Sequence, residues 1–304
     1  MSRAGESDAH HVWDFMHSTG MIRDAEDTKT RHEYKEIAAE KGLSTSSERS
    51  SITPLTNQKT IDKYKGILKE FRHFSRVNGF GNNLRTLPGE AASAFLSHKA
   101  EDVGRQRLQD ICSCITKAGA FGGNANFAPA VEAFRKDEMP PKAETVSRAF
   151  DNPQEVISNI KSDGAKLAAE IQLRTGLRAD NALSFKINAS GDTVSFVSKG
   201  GIRHEAFPMP QDLIDRSRAF ADPGGNVSIM PYRSYEYQVK NAATASGERL
   251  TDGKVINSHG FRHCFARDMY NGLIKSGVSK AEAKAEVSEA LFHHRQEITD
   301  LYIR

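Results

Sequence analysis

Apolar residues recur at three- and four-residue intervals through much of this 304-residue chain, the mark of amphipathic helices. Ile61, Tyr64, Leu68 and Phe71 make one such face, and Thr56 or Asn57 can cap the helix, which is expected over 57–78. Further helices are expected over 88–100, 104–120 and 127–136, separated by glycine- and asparagine-bearing turns at 79–83 and 122–126. Ahead of them the chain is polar. One helix is expected near 24–41, and the Ser/Thr cluster STSSERSS at 44–51 reads as a flexible linker. This gives a polar N-terminal extension and linker over 1–52, then a compact helical domain over 53–136.

The stretch KDEMPPKAE places Pro140 and Pro141 together, which bars helix continuation and marks a linker over 137–145. Beyond it the period changes. Helices expected over 153–161 and 163–174 lead into a strand at 183–188, an alternating run at 193–198 and a third strand at 203–209. Turns at 189–192 and 200–201 make these a small antiparallel sheet with hairpins. Helices resume at 211–219, 232–247, 259–275, 279–290 and 295–302. Residues 146–304 thus read as a second domain, and the fold class is mainly α with a small antiparallel sheet (α+β).

Composition narrows the class without naming a function. Hydrophobic residues make up 38% and charged residues 27%, an ordinary globular balance. No apolar run approaches the length of a membrane span, and no apolar core follows Arg3 near the N-terminus, so neither a span nor a secretory signal is expected. Cys112, Cys114 and Cys264 are an odd count without paired metal-ligand spacing, which suits buried thiols in a reducing, cytoplasmic compartment. A net charge of +3 permits a nucleic-acid partner without demanding one, so clustering of cations matters more. On the 57–78 helix lie Lys59, Lys63, Lys65, Lys69, Arg72 and Arg76, four of which (65, 69, 72, 76) form one stripe. Such a run also fits a solvated helix face. Its scarcity of acidic partners, only Asp62 and Glu70, makes DNA an equal candidate.

Three short boxes carry chemistry. Thr175-Gly176-Leu177-Arg178 closes a helix, where Gly176 can take a positive φ and leave Arg178 on a turn. Ser258-His259-Gly260-Phe261-Arg262-His263 opens a helix, with His259 and Arg262 on one face of a first turn that attracts anions. Leu291-Phe292-His293-His294 is followed, nine residues after His293, by Tyr302. Together these residues can attack a phosphodiester. Arginine forks neutralise nonbridging oxygens, histidine moves a proton near neutral pH, and a phenolate forms a covalent bond to phosphorus. A zinc pair at His259 and His263 is not expected, because no Glu follows His259 and Arg262 repels a cation.

The order and spacing of TGLR, HGFR and LFHH with its distant tyrosine resemble the tyrosine recombinase (phage integrase) family over roughly residues 55–302. The resemblance implies a helical core-binding domain and a mixed catalytic domain that clamp a DNA duplex. It implies a 3′-phosphotyrosyl intermediate formed without metal, ATP or other cofactor. Carried over, Arg178 and Arg262 grip the scissile phosphate, His259 contacts it and accepts the tyrosine proton, and His293 bonds a phosphate oxygen. Tyr302 attacks phosphorus. Lys199, in SKGG between two strands, matches the family's hairpin lysine and protonates the leaving 5′-oxygen, with Lys186 and Arg203 nearby as alternatives. The implied partners are a double-stranded recombination site, three further copies of the chain in a tetramer, and directionality or DNA-bending proteins.

The chain departs from the family in three places. Asn181 stands where an acidic residue usually supports the first arginine, Phe292 replaces a small glycine, and only two residues follow Tyr302. Two other functions therefore stay open: a catalytically silent DNA-binding accessory protein of the same fold, and a type IB topoisomerase-like relaxing enzyme. Trp13 either anchors the extension onto the body or touches DNA, and His263 reads as a structural histidine.

Overall fold

The computed structural model describes residues 3–24, 26, 27, 29, 31–142, 147–198, 201–250, 253–292 and 299–303. The backbone divides into two units, Met1–Ala143 and Glu144–Arg304. The first consists of α1 (Arg3–Ser18), α2 (Arg31–Glu40), α3 (Ser46–Ile52), α4 (Gln58–Val77), α5 (Gly89–Asp102), α6 (Arg105–Gly122) and α7 (Phe127–Asp137). The last four lie where periodicity put them. Asn57 caps α4, its side chain accepting from the Thr60 amide.

Residues 1–52 differ from the expected extension. α1 lays Val12, Phe15 and Met16 into the same core as Leu68, Phe71, Phe95 and Phe127. Positions 12, 15 and 16 do have helical spacing, but histidines and acidic residues around them dilute the apolar signal. The serine-rich stretch is likewise structured. Thr45 and Glu48 form a capping box that starts α3, and the buried Lys117 ammonium of α6 donates to the carbonyls of Ser50 and Thr53 at its other end. The following residues are stapled down as well: the Leu55 amide donates to Met21 O (2.8 Å), and the Arg23 amide to Leu55 O (3.0 Å).

The second unit contains α8 (Pro153–Asn159), α9 (Asp163–Thr175), α10 (Ala179–Leu183), β1 (Ser184–Ile187), β2 (Thr193–Ser198) and β3 (Ile202–Pro208). They are followed by α11 (Gln211–Ser217), β4 (Asn226–Ser228), α12 (Tyr232–Ala245), α13 (His259–Lys275) and α14 (Lys280–Ala290). The sheet is antiparallel in the order β3-β2-β1-β4. The fold class is thus the expected one, with two short additions, α10 and β4, that carry too few residues to show a period. Half of the helix expected at 295–302 falls outside the described residues. Of it, 299–303 form a turn, the Tyr302 and Ile303 amides both donating to Thr299 O.

Two apolar clusters organise this unit. The larger gathers Phe150, Ile171, Leu177, Phe185, Tyr235 and Phe261 from helices and sheet. The smaller holds Ala266, Val287, Leu291 and Tyr302. α13 belongs to both, so its first turn stands where they meet. No described helix is long and apolar enough to cross a membrane.

Candidate active site

The first arginine is placed by a turn that only glycine accommodates. α9 ends at Gly176, whose φ is +68°, and a Cβ there would stand 2.4 Å from the Phe265 ring of α13. The next carbonyl is fixed from below: buried Gln172 donates to Leu177 O (3.3 Å) and accepts from the buried Tyr235 hydroxyl (2.6 Å). Arg178 then opens α10 in an extended conformation, half-buried. Asn181, one turn on, donates to Val197 O (2.9 Å) near the end of β2. The position where the family carries an acid thus ties α10 to the strand leading to Lys199.

α13 presents three side chains from its first turn, His259, Arg262 and His263, at i, i+3 and i+4. Its start is held by Glu236 of α12, which accepts from the Ser258 hydroxyl and from the Tyr232 hydroxyl (3.0 Å). Arg262 is fully buried and donates to the carbonyls of Gly176 and Leu291. One guanidinium therefore ties the end of α9, the first turn of α13 and the end of α14 together. Tyr302 comes to rest on this turn. Its phenol oxygen lies 2.7 Å from His259 Nε2, and its ring stacks on His263 with centroids 4.2 Å apart and planes 13° apart. The Arg262 guanidinium stands 5.7 Å from the same ring.

The electrostatics follow from burial beside cations. Burial first, then Arg262, Arg178 and Arg148, hold His259 down to about 4. Burial, His259, Arg148 and Arg262 hold His263 at about 3, against an opposing hydrogen bond to the Tyr302 backbone. Both rings are neutral at physiological pH. Burial also lowers Arg262 to about 10, with Tyr302 acting in the other direction. A phosphate oxyanion is the kind of group that this cation-rich, water-poor turn favours.

Four of the six catalytic candidates are described: His259, Arg262 and Tyr302 adjoin one another, and the charge of Arg178 reaches His259 and Arg262. Lys199 and His293 lie outside the described residues. Phe292, just before His293, has a φ of +52°, a conformation no other described non-glycine residue adopts. Its ring packs against Phe196, His204 and Phe207, with the His204 centroid at 4.3 Å, which holds a side chain where glycine would be unstrained. Sequence reasoning missed Arg148, whose charge reaches both histidines from a stretch read only as a domain start.

The basic stripe on α4 is less open than a helical wheel suggests. Arg72 is buried, bonded to the Asp8 carboxylate of α1 and to Asn82 O (2.9 Å). Arg76 approaches the same carboxylate at 3.4 Å, Lys63 pairs with Asp110 at 3.1 Å, and Lys65 stands 4.7 Å over the Trp13 ring. Lys59 is exposed and Lys69 half-buried. Among the described residues no cluster of histidine, cysteine or carboxylate side chains could hold a metal ion.

At the level of sequence, no family model and no curated protein matches. Solved structures do match in fold. A lambda integrase (75–356) dimer bound to a COC′ core site aligns over 90% of this chain and 95% of its own at a TM-score of 0.59, with 16% identity. A lambda integrase tetramer bound to a Holliday junction aligns over 92% of this chain and 78% of its own, at 0.58 and 16% identity. The XerH site-specific recombinase bound to a difH substrate aligns over all of this chain (100%) and 95% of its own, at 0.53 and 14% identity. The chain has the fold of tyrosine recombinases, the fold that the TGLR, HGFR and LFHH boxes led us to expect.

Proposed function

We propose that this chain is a site-specific DNA recombinase whose nucleophile is Tyr302. The observation that carries the reading is the 2.7 Å approach of the Tyr302 phenol to a neutral His259, beside the buried Arg262. Arg178 and Arg262 neutralise charge growing on the nonbridging oxygens of the scissile phosphate. The phenol gives its proton to His259 Nε2 as its oxygen bonds to phosphorus. The bond from phosphorus to the 5′-oxygen breaks, and Lys199 supplies the proton that the leaving oxygen takes. His293 bonds a phosphate oxygen. The products are a 3′-phosphotyrosyl link and a free 5′-hydroxyl, and reversal with a second strand reseals the DNA. The bound phosphodiester opposes the field of Arg178 and Arg262, so His259 becomes a stronger base once DNA is in place.

Strand exchange through a Holliday junction in a tetramer follows the assembly in which a lambda integrase neighbour is found. Lys59, Lys63, Lys65, Lys69 and Arg76 supply phosphate contacts that do not read sequence. Arg72 is set apart from them by its bond to Asp8.

Covalent trapping tests the reading. The protein is incubated with sheared DNA from its own source and denatured, and the attached DNA is recovered and sequenced, with Tyr302→Phe in parallel. The expected result is one enriched sequence held by the wild type and none by the variant. Wild-type protein that shifts DNA in a gel and traps none would instead make the chain an accessory binder.

A further inference from the structure

We propose that His263 is a positioning residue for the Tyr302 nucleophile: its ring is the platform that docks the phenol against His259 within the same chain. The proposal rests on the recombinase reading above and adds a residue to it. Three observations carry it. His263 is 4% exposed, and its ring lies nearly parallel to the Tyr302 ring at 4.2 Å, with 13° between the planes. Its neighbour His259, one helical turn earlier, meets the same tyrosine edge-on at 5.5 Å and holds the phenol oxygen at its Nε2. Within the described residues the Tyr302 and Ile303 amides both fold back onto Thr299 O, a backbone constraint that leaves the phenol's direction to what its ring rests on.

A tyrosine on a short turn has two free side-chain torsions, and an in-line attack on phosphorus requires both to be fixed. The His263 face restricts the ring plane, and the His259 nitrogen restricts the oxygen. Because both come from one helical turn, the nucleophile is aligned by the same rigid element that presents Arg262. The neutrality of His263 supports this role, since a charged ring there would be repelled by Arg148 and Arg262. His263 Nδ1 is buried without a hydrogen-bond partner among the described residues. A flat, polarisable ring at this place suits a phenol whether or not that nitrogen is paired.

The test compares His263→Phe, which keeps a flat ring, with His263→Leu, which fills the space without one. Single-turnover cleavage is measured at saturating duplex carrying the site recovered by trapping, alongside DNA affinity and the thermal midpoint. In parallel, the DNA-free proteins carry 3-fluorotyrosine, and the Tyr302 fluorine resonance is assigned by its loss in Tyr302→Phe. We expect His263→Phe to cleave within a few-fold of wild type and to keep the ring-shifted resonance. His263→Leu should lose about 100-fold in cleavage rate and shift that resonance toward the solvent position, with affinity and midpoint unchanged. Leucine at the wild-type rate overturns the proposal, as do equal losses in both folded variants. A loss confined to affinity or midpoint also overturns it, because that is a packing role. Failure of the wild type to trap DNA is a different result, which removes the recombinase reading itself.

Discussion

Among the described residues two arginines are buried, one in each unit, and they are buried differently. Arg72 of the first unit meets the Asp8 carboxylate, so its charge is answered inside the protein. Arg262 of the second gives its donors to the carbonyls of Gly176 and Leu291 and faces the Tyr302 ring, and burial lowers it to about 10. Burial and Arg76 lower Arg72 as well, so the two differ in their partners and not in the direction of the shift. The first arrangement holds a helix in place, while the second keeps a positive field where a phosphate can use it. Burial of an arginine therefore says little about function until its partners are known.

That contrast can be broken by substitution. Arg262→Ala should lower single-turnover DNA cleavage by about 1,000-fold, or about 4 kcal/mol in the barrier. Arg262→Lys should recover only part of it, since an ammonium lacks the planar fork. Arg72→Ala should instead leave the buried Asp8 with the longer contact to Arg76 in its place, costing the first unit about 3 kcal/mol in denaturant unfolding. Cleavage by the folded fraction should stay within a few-fold of wild type. A cleavage defect in Arg72→Ala at saturating DNA as large as that of Arg262→Ala would erase the distinction.

Acid sharpens the comparison through stability. His259 and His263 are held at about 4 and about 3, below the ordinary histidine value of 6.5 that the unfolded chain regains. The unfolded state therefore binds more protons below pH 6.5, and stability rises with pH. The contribution is fully present above about pH 7 and is lost as pH falls toward the folded values. Thermal midpoints taken between about pH 7 and pH 5 should decline, and His263→Phe should flatten the decline. An unchanged slope in that variant would show that His263 is not held neutral.

The sequence was legible where local chemistry decides structure. Gly176 at a helix end, the i, i+3 pair of His259 and Arg262, and the amphipathic face of α4 are each set by near neighbours. α1 was not legible, since its three core residues are interleaved with histidine and aspartate. Neither was the fate of Arg72, because Asp8 is 64 positions away and nothing local announces the pairing. The same holds for the stacking of His263 on Tyr302 and for the reach of Arg148. In each case a tertiary contact decides what a periodicity can only make available.

Tyr302 belongs with Ala266, Val287 and Leu291 to the small cluster rather than to the main core. Cooperative opening of a satellite of this size requires far less free energy than global unfolding. We therefore expect the turn carrying Tyr302 to open separately from the main core. Its backbone amides should exchange with solvent deuterium well before those of α9 or α12, so the phenol can be withdrawn while the arginine-bearing helix stays folded.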